Sequence, residues 1–254
     1  MRVHVVSDVH GRTDALERAA DGADALICLG DLVLFMDYAD HGAGIMGRLF
    51  GADAVATLIT LRTARRFDEA RSFSGGLWSS YADPRAVIED AVRAQYAAMF
   101  AVLPDPTYMT YGNVDLPALY PEFLRPGVRV LDGETVTIGD ARVGFVGGGL
   151  STPMRTPYEI SDDDYAAKLA ALGAVDVLCT HIPPDIPELL YDTAAGRHER
   201  GSAATLALIE AQQPRWALFG HVHQPQTQQL TVGRTRCVNV GHFRASRTPY
   251  VLDL

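Results

Sequence analysis

The segment Arg2-Val3-His4-Val5-Val6-Ser7-Asp8-Val9-His10 decides the fold. It opens as a Val-rich run of the length of a buried strand and stops on polar side chains that can bind or react. The same grammar recurs along the chain. Ala25–Leu29 leads into Gly30-Asp31, Tyr108–Tyr111 into Gly112-Asn113, and Arg142–Val146 into Gly147-Gly148-Gly149. Val175–Cys179 leads into Thr180-His181, and Trp216–Phe219 into Gly220-His221. Helical patterns at Asp14–Ala20, Asp162–Leu172 and Ser202–Gln212 separate several of these runs. Ser202 is expected to cap the last helix and Pro214 to stop it. After His223 come strands alone, Thr227–Val232, Thr235–Val240 and Tyr250–Leu252, with a hairpin turn at Gly233-Arg234. Strand-helix-strand units followed by a meander predict an α/β fold, a four-layer α-β-β-α sandwich of two mixed sheets flanked by helices.

One stretch breaks the rhythm. Residues 32–112 hold no clear strand until Tyr108, and the expectation is one domain over 1–254 carrying a helical insertion at about 37–104. Two helices are expected inside it. Pro84–Leu103 has Asp83 as its cap and Ile88, Val92, Tyr96, Met99 and Leu103 on one face. Asp53–Arg71 is the second, followed by a loop over Phe73–Tyr81. Three roles are open for the insertion. It packs on its own domain, it caps a crevice and selects substrate, or its Val92/Tyr96/Met99 face pairs with a second subunit as a homodimer.

Composition narrows the function classes. The chain has 254 residues and a formal net charge of −9. That balance argues against bulk, phosphate-driven binding of nucleic acid, leaving at most a small nucleotide. No apolar run reaches the ~18 residues of a membrane span, and the first residues read as a strand rather than a leader. The three cysteines, Cys28, Cys179 and Cys237, show no paired spacing and sit in strand-like runs. Buried thiols in a reducing, cytoplasmic setting are expected.

The chemistry lies in the residues just past each strand. Asp8-Val9-His10, Gly30-Asp31, Gly112-Asn113-Val114-Asp115, Thr180-His181 and Gly220-His221-Val222-His223 all stand at strand C-terminal ends. In an open α/β sheet those ends face one crevice. Asp, Asn and His recur among the delivered side chains, and these are ligands suited to hard or borderline divalent ions. Several imidazoles in an apolar-walled crevice would be costly without partners.

In order and combination these motifs resemble the calcineurin-like metallophosphoesterase superfamily, whose pattern is D-x-H, G-D, G-N-H-[D/E], H, G-H-x-H. The match spans residues 8–223. The resemblance implies two divalent ions (Mn, Fe, Zn or Ni). By it Asp8, His10 and His223 hold the first, Asn113, His181 and His221 hold the second, and Asp31 bridges both. Asp31, Asn113 and His181 then serve catalysis as well as binding. Ions ~3.5–4 Å apart need a bridging carboxylate and hydroxide between them. Two divalent ions, two carboxylates and one hydroxide leave a single positive charge, which suits an anionic phosphate.

The chain departs from the pattern at one position. Where the family has His, this sequence has Val114, which can neither donate a proton nor accept a hydrogen bond. Bacterial phosphodiesterases of the YfcE-like branch resemble it in lacking that His. Two histidines on neighbouring loops, His198 and His242, are candidate proton donors in its place. Arg12 could grip phosphate through its guanidinium fork or form a surface ion pair. Asp115 is expected to cap a helix over Leu116–Phe123. His41, with Asp37 and Asp40, reads as a polar loop, and His4 as structural.

The expected activity is metal-dependent hydrolysis of a small phosphodiester, or of a related phosphoester or pyrophosphate, by a hydroxide bridging two ions. A catalytically weak scaffold built on the same fold is the alternative, and a phosphomonoesterase or phosphoprotein phosphatase a second.

Overall fold

Val3 and Val5 face one way from the first strand and His4 the other. That alternation, with both faces covered, is repeated wherever the sequence shows a continuous apolar run. The computed structural model describes residues 1–254. β1 (Arg2–Val6) and β2 (Ala25–Cys28) flank the short helix α1 (Thr13–Leu16). Helices α2 (Gly44–Phe50), α3 (Ala52–Thr63), α4 (Phe67–Trp78) and α5 (Pro84–Val102) precede β3 (Thr107–Met109). A 3-10 helix, Pro117–Glu122, leads to β4 (Val128–Val130), the hairpin of β5 (Glu134–Ile138) and β6 (Ala141–Val146), and the short pair β7 (Gly149–Leu150) and β8 (Glu159–Ile160). Next come α6 (Asp162–Ala171), β9 (Val177–Thr180), α7 (Pro187–Leu190), β10 (Tyr191–Asp192) and β11 (Arg197–His198). The order is completed by α8 (Ala203–Gln212), β12 (Trp216–Phe219), β13 (Gln229–Val232), β14 (Thr235–Asn239), α9 (Phe243–Ser246) and β15 (Tyr250–Asp253).

Two mixed sheets result. The first runs β15-β1-β2-β3-β4, parallel except for β15. The second runs β13-β14-β12-β9-β6-β5, with a parallel centre and antiparallel edges. One core lies between them: Val3, Val5, Ile27 and Leu29 share a buried cluster with Val143, Phe145, Cys179 and Leu218. The alternate residues of the second sheet, Val146, Leu178 and Phe219, join Tyr165 and Leu169 of α6 and Ile209 of α8 in another cluster. This is the sandwich the strand pattern predicts. Ser202 caps α8 by accepting the N–H of Thr205, and Gly233, at φ 58°, turns the β13–β14 hairpin. His4 is structural: its Nδ1 lies 2.9 Å from the carbonyl of Ala19. All three cysteines are free and buried, and burial pushes the Cys28 thiol up to about 12. No helix is long and apolar enough to cross a membrane.

The chain divides into two compact units, residues 1–32 with 99–254, and residues 33–98. The second unit has its own core of Met46, Val55, Leu58 and Ala70, lined by Phe35, Phe50, Phe73 and Trp78. Gln95 closes it by accepting the N–H of Leu34 and donating to the Leu34 carbonyl. The expected helix over Asp53–Arg71 is two helices. Arg65 adopts φ 57°, and the N–H of Arg66 turns back to Leu61, which ends α3 before α4 starts. The expected loop at Phe73 is helical through Trp78, with Gly75 and Gly76 inside α4. Asp83 caps α5 as expected, accepting the N–H of Ala86. Val92, Tyr96 and Met99 are buried within the single chain, so none of that stripe is exposed. Asp37 accepts the N–H groups of Ala39 and Asp40, the polar turn expected around His41.

Phe145 stands in the layer shared by both sheets. Phe145→Ala is expected to lower the unfolding free energy by about 3–5 kcal/mol, read by urea titration. A loss under ~1 kcal/mol would mean that the shared core does not hold the sheets together.

Candidate metal centre

The strands deliver their polar ends through strained backbone. Asp8, His10, Asp31 and His221 all have positive φ, between 40° and 68°. Non-glycine residues rarely adopt this region, and each costs about 1–2 kcal/mol there. Four neighbouring exceptions mark a site over-determined by its surroundings. The surroundings are visible. His10 N–H donates to the Asp31 carbonyl and Asp8 N–H to that of Gly30, which lock the first two loops side by side. His221 N–H donates to Asp8 Oδ2 at 2.9 Å. A Cβ on Gly112 would fall 1.9 Å from Asp31 Oδ1, and one on Gly220 1.9 Å from Ser7 Oγ, so only glycine lets these loops meet.

Seven predicted ligands converge. Asp8 Oδ1 lies 3.3 Å from His223 Nε2 and 4.0 Å from His10 Nε2. The two imidazole nitrogens of His10 and His223 face each other at 3.4 Å. Asn113 Oδ1 is 2.9 Å from both His181 Nε2 and His221 Nδ1. Asp31 stands between the two groups, its Oδ2 3.8 Å from His10 Nε2 and 3.5 Å from His181 Nε2. Its other oxygen accepts the N–H of Val114. The structure thus brings Asp8, His10 and His223 together on one side of Asp31 and Asn113, His181 and His221 on the other.

Two buried carboxylates, Asp8 and Asp31, dominate the electrostatics of the site. Burial raises the Asp8 carboxyl, but His223, His181 and His10 outweigh it and hold Asp8 well below the usual range. Asp31 is likewise held down against burial, chiefly by His181. Burial opposes charge on His181, yet Asp31 and Asp8 push it up to about 9. Its Nδ1 faces the Leu29 carbonyl and its Nε2 the Asn113 carbonyl oxygen, and both partners are acceptors. Asp8 Oδ1 is buried and makes no well-aligned hydrogen bond, with His223 Nε2 3.3 Å away. Asp8, His10 and Asp31 offer ligand atoms within 4.8 Å of one another. Two carboxylates, an amide oxygen and four imidazoles fit divalent ions of hard or borderline character.

The remaining sequence candidates separate. His242 joins the cluster: its ring stacks on His223 at 3.9 Å and meets His10 edge-on at 5.8 Å. Burial and His223 push it down to about 3. His198 does not join. It stands exposed on β11, opposite Tyr191 in the β10–β11 pair and edge-on to that ring. Pairing of the two short strands holds it there. Arg12 lies beside the Asp8–His10 turn, its Nε donating to the Arg244 carbonyl, while Arg244 donates to the His10 carbonyl.

Asp115 is no helix cap. The 3-10 helix after it starts with Leu116 at its N-cap and no side-chain cap bond. Instead the buried Asp115 carboxylate accepts the N–H groups of Asp31, Leu32 and Gly112 at 2.8–3.0 Å. Long-range demand for an acceptor outcompetes the local cap. Sequence reasoning also missed Asn239, whose amide donates to the carbonyls of Gly220 and Val222 and holds the His221–His223 loop. A polar residue ending a strand was the available signal. Asp192 accepts the N–H of Gln224, just beyond His223. Thr156, which accepts a hydrogen bond from Asn113, carried no signal.

A family model described as calcineurin-like phosphoesterase matches residues 1–225. No curated protein matches the chain.

Asp115→Asn places an amide NH2 against a backbone N–H. It is expected to cost about 1–3 kcal/mol, seen as a lowered melting temperature. Unchanged stability would overturn the clamp assigned to this carboxylate.

Proposed function

Because the chain belongs to the calcineurin-like phosphoesterase family, a family of metal-dependent hydrolases, we propose that it hydrolyses a small phosphodiester, or a related phosphoester or pyrophosphate, with two divalent ions. The carrying observation is the convergence of seven ligand side chains from separate strand ends around Asp31. Asp8, His10 and His223 would hold one ion, Asn113, His181 and His221 the other, with Asp31 shared. Ions held there would supply Lewis acidity toward the phosphoryl oxygens and lower the pKa of water toward neutrality.

The chain's own residues set the rest. Leu29 fixes the ring of His181 through Nδ1 and aims Nε2 at the centre. Val114 spends its N–H on Asp31 and offers no side-chain donor. His242 is the imidazole nearest to replacing one. Half-buried and stacked on His223, it is held neutral at pH 7. It can donate one hydrogen bond but carries no spare proton for a poor leaving group. This favours diesters of acidic alcohols and pyrophosphates, whose leaving groups need little protonation. Arg12, at the turn beside His10, is the candidate for contact with the phosphate. Three buried free thiols fit a reducing compartment such as the cytoplasm.

Metal analysis of purified protein is expected to find about two divalent ions per chain, and manganese to support hydrolysis of a bis-aryl phosphate. Protein loaded with several metals and inert on activated monoesters and diesters would overturn the enzyme reading. Asp31→Asn is expected to remove both bound metal and turnover; an Asp31→Asn protein with full activity would sink the shared-ligand role. Val114→His restores a donor, and is expected to raise the monoester rate relative to the diester rate by about tenfold or more. An unchanged ratio would remove Val114 as the determinant of substrate class.

A further inference from the structure

An asparagine that serves a cation through its oxygen must also keep its NH2 turned away. The two ends of the amide are nearly the same size, so packing alone does not choose between them. Here the choice is made by hydrogen bonds. Asn113 Oδ1 faces His181 and His221. Its Nδ2 donates to Thr156 Oγ1 at 3.0 Å. The Thr156 hydroxyl can accept because its own proton is committed: it donates to Glu159 Oε1 at 2.8 Å. An inverted amide would set its oxygen against that hydroxyl oxygen and its NH2 against any bound cation.

Thr156 belongs to the strap between β7 and β8, and one carboxylate shapes that strap. Glu159 accepts the Thr156 N–H at 2.9 Å, and also the N–H and hydroxyl of Thr152, each at 2.7 Å. The strap grips Asn113 a second time, since the Tyr158 N–H donates to the Asn113 carbonyl.

We propose that Glu159, acting through the Thr156 hydroxyl, fixes the amide orientation of Asn113 and thereby sets the affinity of the ion held by Asn113, His181 and His221. Both are positioning residues that touch neither ion nor substrate. The inference rests on the two-ion reading above.

Calorimetric titration of manganese into the metal-free full chain tests it, with a parallel cobalt titration followed by its electronic spectrum. Wild-type protein is expected to take up two ions. Thr156→Val removes the acceptor and is expected to weaken one ion about 10–100-fold while leaving the other unchanged. Thr156→Ser keeps the hydroxyl and is expected to restore it. Glu159→Gln lets the hydroxyl turn and is expected to weaken the same ion; it carries the test if Thr156→Val does not fold. Wild-type affinity for both ions in Thr156→Val, or in Glu159→Gln, overturns the proposal. So does a Thr156→Ser protein as weakened as Thr156→Val, because strap packing would then be the cause. Wild-type protein that binds no ion overturns the two-ion reading itself and the proposal with it, an outcome distinct from the others.

Discussion

One buried carboxylate ties the centre together. Asp115 collects the N–H groups of Asp31, Leu32 and Gly112, which belong to loops following two different strands. Backbone donors turned inward at a strand end have no ladder partner, and leaving them unpaired in the interior would cost about 1–3 kcal/mol each. Asp115 satisfies three at once. In doing so it fixes the spacing between the Gly30-Asp31 turn and the Gly112-Asn113 turn. That spacing puts Asp31 between its two groups of partners and forces the bare glycine at 112. Burial and the nearby Asp31 raise the Asp115 carboxyl, so the clamp is itself held against electrostatic cost.

The same logic explains the left-handed backbone. Asp8, His10, Asp31 and His221 would relax to negative φ if their loops were free. They stay because each loop is bonded to the next: His10 to Asp31, His221 to Asp8, and Phe243 to Ser7. The strain is the consequence of bringing several chain ends to one point, and a sandwich with a large shared core can sustain it. Cations held by the gathered carboxylates and imidazoles, as proposed, would return part of that energy, since anything that binds only the folded state stabilises it.

The strand ends were readable because burial on both faces leaves a continuous apolar run, and a run that stops on Asp, Asn or His is visible without knowing what lies opposite. Some strands of lesser burial were not readable. β4 is only three residues, and β5 places Thr and Glu on an edge with half-exposed positions. Arg65 shows another limit: nothing in Arg62-Thr63-Ala64-Arg65-Arg66 marks a left-handed residue, and the break follows from folding two helices back on a small core. Asp115 was legible only as a local cap. Its true partners lie as far as 84 residues away in sequence, and no spacing rule reaches them. Thr156 is hidden for the same reason, since Asn113 lies 43 residues away.

The loss of histidine at 114 without loss of the centre has a physical cause. The backbone of Val114 binds Asp31, and Asp115 clamps the loop, whatever side chain stands between them. Architecture and proton donation are therefore separate properties of this turn. In the proposed reaction, a substitution there would change which leaving groups are tolerated while the side chains gathered around Asp31 stay as they are. The formal charge of −9 is separable in the same way. It governs long-range encounter with polyanions, whereas affinity for a small phosphate at the proposed site would depend on the field of the few groups around Asp31, where any bound cations would dominate.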